Sequence, residues 1–327
     1  MVPVEPNIKD IIDSTVKQLE KDSITPYLSL SPTLALIHVE NMESGEASYV
    51  KSLIKVGNKY GATIKEYIAN SPFEVMDCIN QAKLNYAVQG IMIVSDYGDM
   101  SRTLYDAIPM RLDIDGLSSY SLGSLLDNPS HIAYRQAPCT AVACLKIMQE
   151  ISRVTDVPLE KTKVAVIGRS IRVGRPLVEL LLQQNMEVSI FHSKTKEPFF
   201  SDYTFVVSAI GKPNYWDKEN IGRYISNYQN LFLIDVGMNI DEEGNLCGDI
   251  SPDIFEGSSP VYNIYHMLTP VPGGVGRVTT TVLFAKLFNN AAQYFISSNG
   301  RKGLPNYTTK KNNNIYVPSV DVGKTFL

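Results

Sequence analysis

The sequence predicts an α/β protein of two domains, at least one of them built on a doubly wound parallel sheet. Three observations carry this. Short apolar runs of strand character alternate with stretches of helical periodicity along most of the chain. One such run, Lys163-Val164-Ala165-Val166-Ile167, passes straight into a glycine and then a helix. The 327 residues, 44% of them hydrophobic, suffice for two buried cores. Alternation of this kind sets strands parallel and puts a ligand crevice outside their carboxyl ends.

Ile8, Ile11, Ile12, Val16 and Leu19 recur at helical spacing, so an amphipathic helix is expected over residues 7–19, with Pro26 ending that region. Residues 33–39 form a β-rich run. A helix over 45–60 follows, and Gly61 caps it because glycine tolerates the positive φ of a C-terminal cap. Residues 63–67 read as strand, 73–85 as helix, and 90–94 as a buried parallel strand. A second cycle opens with a helix over 140–154 and the strand ending at Ile167. The helix 174–184 and strands at 187–191, 203–209 and 230–236 continue it. An amphipathic helix over 278–295 closes the fold, and the polar stretch 297–327 reads as an appendage.

Composition excludes several function classes. Net charge is −4, from 30 basic and 34 acidic residues, and no run of like charge could follow a polyanion, so nucleic acid is not an expected partner. The cysteines (Cys78, Cys139, Cys144, Cys247) contain no C-x-x-C pair and the histidines (His38, His131, His192, His266) no H-x-x-x-H unit, so neither a metal site nor a disulfide framework is expected. The first residues are acidic and lack an apolar leader. No stretch approaches the roughly 18 apolar residues of a spanning helix. No membrane association and a cytoplasmic, reducing setting are the expectation.

The junction after the strand ending at Ile167 reads Gly168-Arg169-Ser170-Ile171-Arg172-Val173-Gly174-Arg175-Pro176. Backbone N–H groups at the following helix start can bind an anion. The spacing is not G-x-G-x-x-G, and an ordinary glycine turn reads equally well from geometry alone. At the end of the next strand, where many NAD sites place an acid for the ribose, stands His192-Ser193-Lys194-Thr195. With Arg169, the Ser193 and Lys194 side chains offer donors and positive charge suited to a 2′-phosphate, favouring NADP over NAD. Cys139 reads as a small buried residue, since no base partners it. His192 reads as positioned by its strand end.

These segments, followed by Ile234-Asp235-Val236-Gly237-Met238-Asn239, Gly248-Asp249 and Thr269-Pro270-Val271-Pro272-Gly273-Gly274-Val275-Gly276, resemble in order the signatures of the methylenetetrahydrofolate dehydrogenase/cyclohydrolase family. The resemblance extends to about Gln293. It implies an α/β folate/catalytic domain (1–138 plus 279–300) and a Rossmann-like NAD(P) domain (139–278), with the catalytic cleft between them and a tail at 301–327. It implies a homodimer acting on a folate. Gly168, Arg169, Ser170, Ser193 and Lys194 would hold the cofactor, and Met238 would lie beside the nicotinamide. Pro272, Gly273 and Gly274 would line the cleft against folate, where glycine lets backbone approach a flat ligand closely.

The folate side departs from the family pattern. In the motif Tyr-x-x-x-Lys, where the tyrosine stacks on the pterin and the lysine handles protons in cyclohydrolysis, Tyr49 matches but Leu53 stands for lysine. A helix sets Tyr49 and Leu53 on one face, with Lys51 and Lys55 roughly 200° away. Val94 stands for a glutamine, Ser95-Asp96-Tyr97-Gly98 for Leu-Pro-Leu-Pro, Ala141 for a proline, and Arg277 for another. Asp115, in Asp113-Ile114-Asp115-Gly116, is retained and would bond the pterin N–H groups; an ordinary Asp-Gly turn is the alternative. Hydride transfer chiefly requires two rings held face to face, whereas hydrolysing a methenyl bridge requires a tuned base. The expectation is an NADP-dependent dehydrogenase (NAD possible) whose cyclohydrolase activity is lost or weak. A fully bifunctional enzyme and a silent binder are the alternatives.

Overall fold

The computed structural model describes residues 6–127, 136–219, 229–255 and 264–299. The tail expected at 301–327, with His131, lies outside them. The first helix, α1 (Ile8–Leu19), starts where the Asn7 side chain accepts the Lys9 N–H at 2.9 Å, and it buries Ile11, Ile12, Val16 and Leu19 as the spacing requires. The helical path does not end there. It widens into a π-helical segment, Glu20–Ile24, and then tightens into a 3-10 segment, Thr25–Leu30. Pro26 therefore begins a turn instead of breaking one, because a proline in a first turn lacks only an N–H that would have had no helical partner.

Strands β1 (Thr33–His38), β2 (Thr63–Ile68) and β3 (Val88–Ile93) form a parallel sheet in the order β2-β1-β3. Helices α2 (Ser44–Tyr60) and α3 (Pro72–Leu84) make the crossovers. Gly61 ends α2 at φ 73°. Beyond β3 come α4 (Ser101–Ala107) and α5 (Ser119–Asp127), two short helices without the sustained apolar stripe that would have announced them.

Helix α6 (Cys139–Thr155) leads into β4 (Lys163–Ile167), α7 (Gly174–Leu182), β5 (Glu187–Phe191), β6 (Phe205–Ser208) and β7 (Leu231–Asp235). A two-stranded ribbon, β8 (Asn239–Ile240) with β9 (Leu246–Cys247), and the short strand β10 (His266–Leu268) follow. The second sheet has the order β10-β7-β6-β4-β5 with every pairing parallel. It is an open, twisted sheet of the kind that binds ligands beyond its carboxyl edge.

The last helix, α8 (Val275–Asn299), differs from expectation. It is not amphipathic over its first turns: every residue from Val278 to Phe288 is buried. It packs against α1, α6, the π-helical and 3-10 turns and β3, and an element covered on all sides has no polar face to show. Its threonines meet this burial by bonding the preceding turn, Thr279 to the Val275 carbonyl at 2.9 Å and Thr281 to that of Arg277 at 3.1 Å. The helix also runs on through Ser297, where the appendage was expected to begin. One apolar cluster joins Leu34 and Met92 of the first sheet to Val164 and Phe205 of the second through α6 and α8. That continuous core fixes the two sheets around a shared cavity. Among the described residues no helix is long and apolar enough to cross a membrane.

Candidate active site

The cavity encloses about 560 Å³, within the range of small-molecule sites. Glu46, Tyr49, Ser52 and Lys59 of α2 form one wall, with Val94 at the end of β3. Opposite stand Val236, Gly237 and Met238 after β7 and the loop from Pro270 to Arg277, while Asp115, Pro138, Arg172 and Val173 close the base.

Asp115 reaches the cavity because its neighbour makes the turn. Asp113 is buried and its carboxylate accepts the backbone N–H groups of Gly116 (2.9 Å) and Ser118 (3.0 Å) and the Ser121 hydroxyl (2.7 Å). Gly116, at φ +76°, lets the chain pass the Gln136 carbonyl where a side chain could not. The carboxylate that holds this turn is therefore that of Asp113. Burial raises the Asp115 carboxyl above the usual range, against the pull of Arg172, whose Nη1 lies 3.6 Å from Oδ2, and of Lys286. Tyr49 lines the cavity beside it, and burial raises its phenol as well.

Leu53 is not in the cavity. It is fully buried in the main apolar core, and the residue presented to the cavity one turn after Tyr49 is Ser52. Val94 does line the cavity, its N–H held by the Ile37 carbonyl at 2.9 Å. Of the lining residues Lys59, Arg172 and Arg277 are basic. Lys59 is paired with Glu20 at 2.7 Å and its side chain is 62% exposed; Arg277 is paired with Asp13. Lys286 is buried, donates to the Ala137 carbonyl and does not reach the cavity wall. None of the lining lysines is therefore a desolvated base.

The predicted nucleotide residues gather at the carboxyl edge of the second sheet. β4 and β5 pair along their whole length, which brings Gly168, Arg169 and Ser170 beside Ser193 and Lys194. Gly168 takes φ +117°, and at Gly174 any side chain would strike the Gly168 carbonyl, so the loop is drawn tight ahead of α7. The Ser170 hydroxyl accepts the Val173 N–H at 3.1 Å. Arg169, Ser193 and Lys194 are exposed, and no acid stands at the end of β5. Tight glycine backbone flanked by donors and positive charge fits a phosphate-bearing cofactor. These five residues lie beyond the cavity lining, which their loop enters at Arg172 and Val173. The His192 ring accepts the Lys194 N–H at 3.1 Å, a turn-shaping role. Cys139 is fully buried, with its thiol pushed up to about 12 by burial, and is no nucleophile.

Met238 is 55% exposed on the wall shared by the two lobes. Pro272, Gly273 and Gly274 line the cavity, with Gly273 at φ +104° and the Val271–Pro272 peptide cis. The motif acids tie the loops together, Asp235 while itself reaching the cavity lining. Asp235 accepts the N–H groups of Gly237 (2.8 Å), Asp249 (3.0 Å) and Ile250 (2.8 Å), though burial still pushes it up to about 6. Asp249 accepts from the Ser208 hydroxyl and the Ile210 and Lys212 N–H groups, tying the loops after β6 and β7 together.

Sequence reasoning missed Arg172 and Ser52. Ser52 was legible in principle, being three residues from Tyr49 and so on the same helical face. Arg172 was quoted within its motif, but nothing in the spacing says that its side chain crosses to the other lobe.

Two parallel α/β layers, a glycine-drawn turn at one sheet edge and a cleft beside it define a nucleotide-dependent enzyme of the doubly wound class. Comparison with known proteins narrows this. Residues 138–295 match the model for the tetrahydrofolate dehydrogenase/cyclohydrolase NAD(P)-binding domain. The chain is 31% identical over 288 residues to the bifunctional protein FolD of Dictyoglomus turgidum, covering 85% of this chain and 94% of that one. It is 32% identical over 281 residues to FolD of Staphylococcus aureus strain JH9, covering 83% and 88%. The solved bifunctional 5,10-methylenetetrahydrofolate dehydrogenase/cyclohydrolase of Thermoplasma acidophilum superimposes with a TM-score of 0.69 at 27% identity, over 89% of this chain and 98% of that one. The chain belongs to the tetrahydrofolate dehydrogenase/cyclohydrolase family, and its second sheet is that family's NAD(P)-binding domain.

Proposed function

We propose that the protein is an NADP-dependent methylenetetrahydrofolate dehydrogenase whose cyclohydrolase activity is lost or severely weakened. The observation that carries this is the composition of the cavity wall: Tyr49, Asp115, Met238 and the glycine loop face one another, while the position of the family lysine is core leucine. Tyr49 stacks on the pterin and Asp115 accepts its N–H groups. Pro272, Gly273 and Gly274 let the backbone lie against the folate. Gly168, Arg169, Ser170, Ser193 and Lys194 hold the cofactor, with Lys194 and Arg169 answering a 2′-phosphate. When bound, the nicotinamide supplies the hydride acceptor, and Met238 packs beside it. The protein's own part is to align the rings and exclude water, which needs no proton carrier. Cyclohydrolysis does need one. The same reading divides the chain into 1–138 plus 279–300 and 139–278, and makes it a homodimer.

Lys59 favours a second reading, a bifunctional enzyme with a recruited proton carrier, since it is the lysine that lines the cavity. Its pairing with Glu20 and its exposure argue against it, because the proton carrier of this step is expected to be desolvated. The test is to incubate the protein with methylenetetrahydrofolate and NADP or NAD, recording reduced nicotinamide and methenyl product separately. Reduction with NADP and equimolar accumulation of methenyl product is expected. Absence of nicotinamide reduction with either cofactor would overturn the reading.

A further inference from the structure

Arg172 is a charged cavity residue that the proposed function leaves unused. It belongs to the turn between β4 and α7, yet its side chain crosses to the wall made by the first lobe. Its Nη1 lies 3.6 Å from Asp115 Oδ2, Nη2 donates to the Tyr105 hydroxyl, and its guanidinium carbon stands 5.5 Å from the Tyr105 ring centroid. Tyr105 is 4% exposed, so the ring against which the guanidinium rests is fixed by the core. Asp96, itself held by the Gly98 N–H (3.1 Å) and the Ser101 hydroxyl (2.6 Å), adds a second negative charge on the same side. A planar fork with five N–H donors is thus steadied by a ring, a hydroxyl and two carboxylates, and part of it is left open to the cavity.

Exposure decides what this pair is for. The Arg172 side chain is 41% exposed and that of Asp115 16%, and the surface they expose lines the cavity. Side by side they present a carboxylate with two acceptor oxygens and then a guanidinium donor. The complementary ligand edge carries two N–H donors followed by a carbonyl oxygen. A 2-amino-4-oxopyrimidine has that edge: the exocyclic amino group, the ring N3–H, and O4.

We propose that Arg172 is a specificity-determining residue that donates to the 4-oxo oxygen of the folate ring while Asp115 accepts from the 2-amino group and N3–H. The assignment rests on the dehydrogenase reading above. It places one end of the recognition edge on the nucleotide lobe and the other on the folate lobe, so the ring bridges them. A guanidinium keeps its proton at working pH, so Arg172 supplies charge and a donor without supplying a base.

The test compares tetrahydrofolate with its 4-amino analogue, which places a donor where the carbonyl oxygen stood and leaves N3 an acceptor, so the Arg172 variants, with Asp115 kept, isolate the contribution at position 4. Dissociation constants are measured by calorimetry on the full chain, for the parent, Arg172→Met and Arg172→Lys, with NADP binding followed alongside as a report on the fold. The parent is expected to prefer the 4-oxo ring, and Arg172→Met to lose roughly tenfold or more of that preference, chiefly through weaker 4-oxo binding. Arg172→Lys, which keeps a donor but not the fork, is expected to restore part of it. A preference unchanged in Arg172→Met overturns the assignment, as does a parent that binds both rings equally. A parent that binds neither ring removes the folate reading and the assignment with it.

Discussion

Restoring the family lysine at position 53 is expected to damage the protein without repairing it. Leu53 is fully buried in the core shared by both lobes, and Leu→Lys there removes the packing of one leucine, about 2–3 kcal/mol of apolar burial. The new ammonium must either stay in the core, at a cost of several kcal/mol more, or uncurl its stem toward the cavity edge beside Ser52. The second route is cheaper, so the net loss is expected at about 3–5 kcal/mol, a fall of roughly 4–7 °C in Tm for a chain of this size. Ser52→Lys is the control. Ser52 is exposed and already lines the cavity, so the same lysine one residue earlier should change stability by less than about 1 kcal/mol. Thermal melts of both variants, with methenyltetrahydrofolate hydrolysis measured on each, give the answer. If Leu53→Lys melts with the parent and hydrolyses methenyltetrahydrofolate rapidly, position 53 faces the cavity and the reasoning is refuted.

Three further outcomes are expected. On the proposed reading the Asp115 carboxyl, raised by burial and opposed by Arg172, accepts both pterin N–H groups only when ionised, so kcat/KM should fall as pH drops through its ionisation. Arg172→Met removes a charge that favours the carboxylate, so the acid limb should move to higher pH; a limb that stays or moves lower contradicts this. Lys194→Ala should weaken NADP binding roughly tenfold and leave NAD binding nearly unchanged, which titration with each dinucleotide reads directly. Equal losses for both would show that Lys194 does not answer a 2′-phosphate. Gly248→Ala should cost about 2–4 kcal/mol in denaturant unfolding, because its Cβ would overlap the Asp235 carboxylate and displace the acceptor of three backbone N–H groups. A change below about 1 kcal/mol would show that the loop adapts.

Much of this architecture is legible in the residues because the central strands of the sheets are short apolar runs bounded by turn formers. β4 and β5 begin and end where the pattern changes, and α2 ends at the glycine that only a left-handed cap requires. The elements that escaped are those whose signal is tertiary. Helix α8 looks amphipathic by its polar threonines, but these bond their own preceding turn and so can be buried on every side. Pro26 reads as a stop, yet a first-turn proline in a 3-10 segment is compatible with continuation. α4, α5 and β10 are too short to show a period. At the candidate site, an Asp-Gly turn was readable around Asp115, but not that the neighbouring Asp113 holds it through the Gly116 and Ser118 N–H groups. The lysine-to-leucine change was visible, but not that Ser52 is the residue α2 offers to the cavity. Arg172 depends on an ion pair 57 residues apart in sequence, which no local pattern encodes.

The measurement that bears most directly on the account is the fate of preformed methenyltetrahydrofolate added to the purified protein. A preparation shown to reduce NADP with methylenetetrahydrofolate should leave the methenyl absorbance to decay at its spontaneous rate, whatever the protein concentration. Decay that accelerates in proportion to the protein added would mean that a proton carrier operates in this cavity after all.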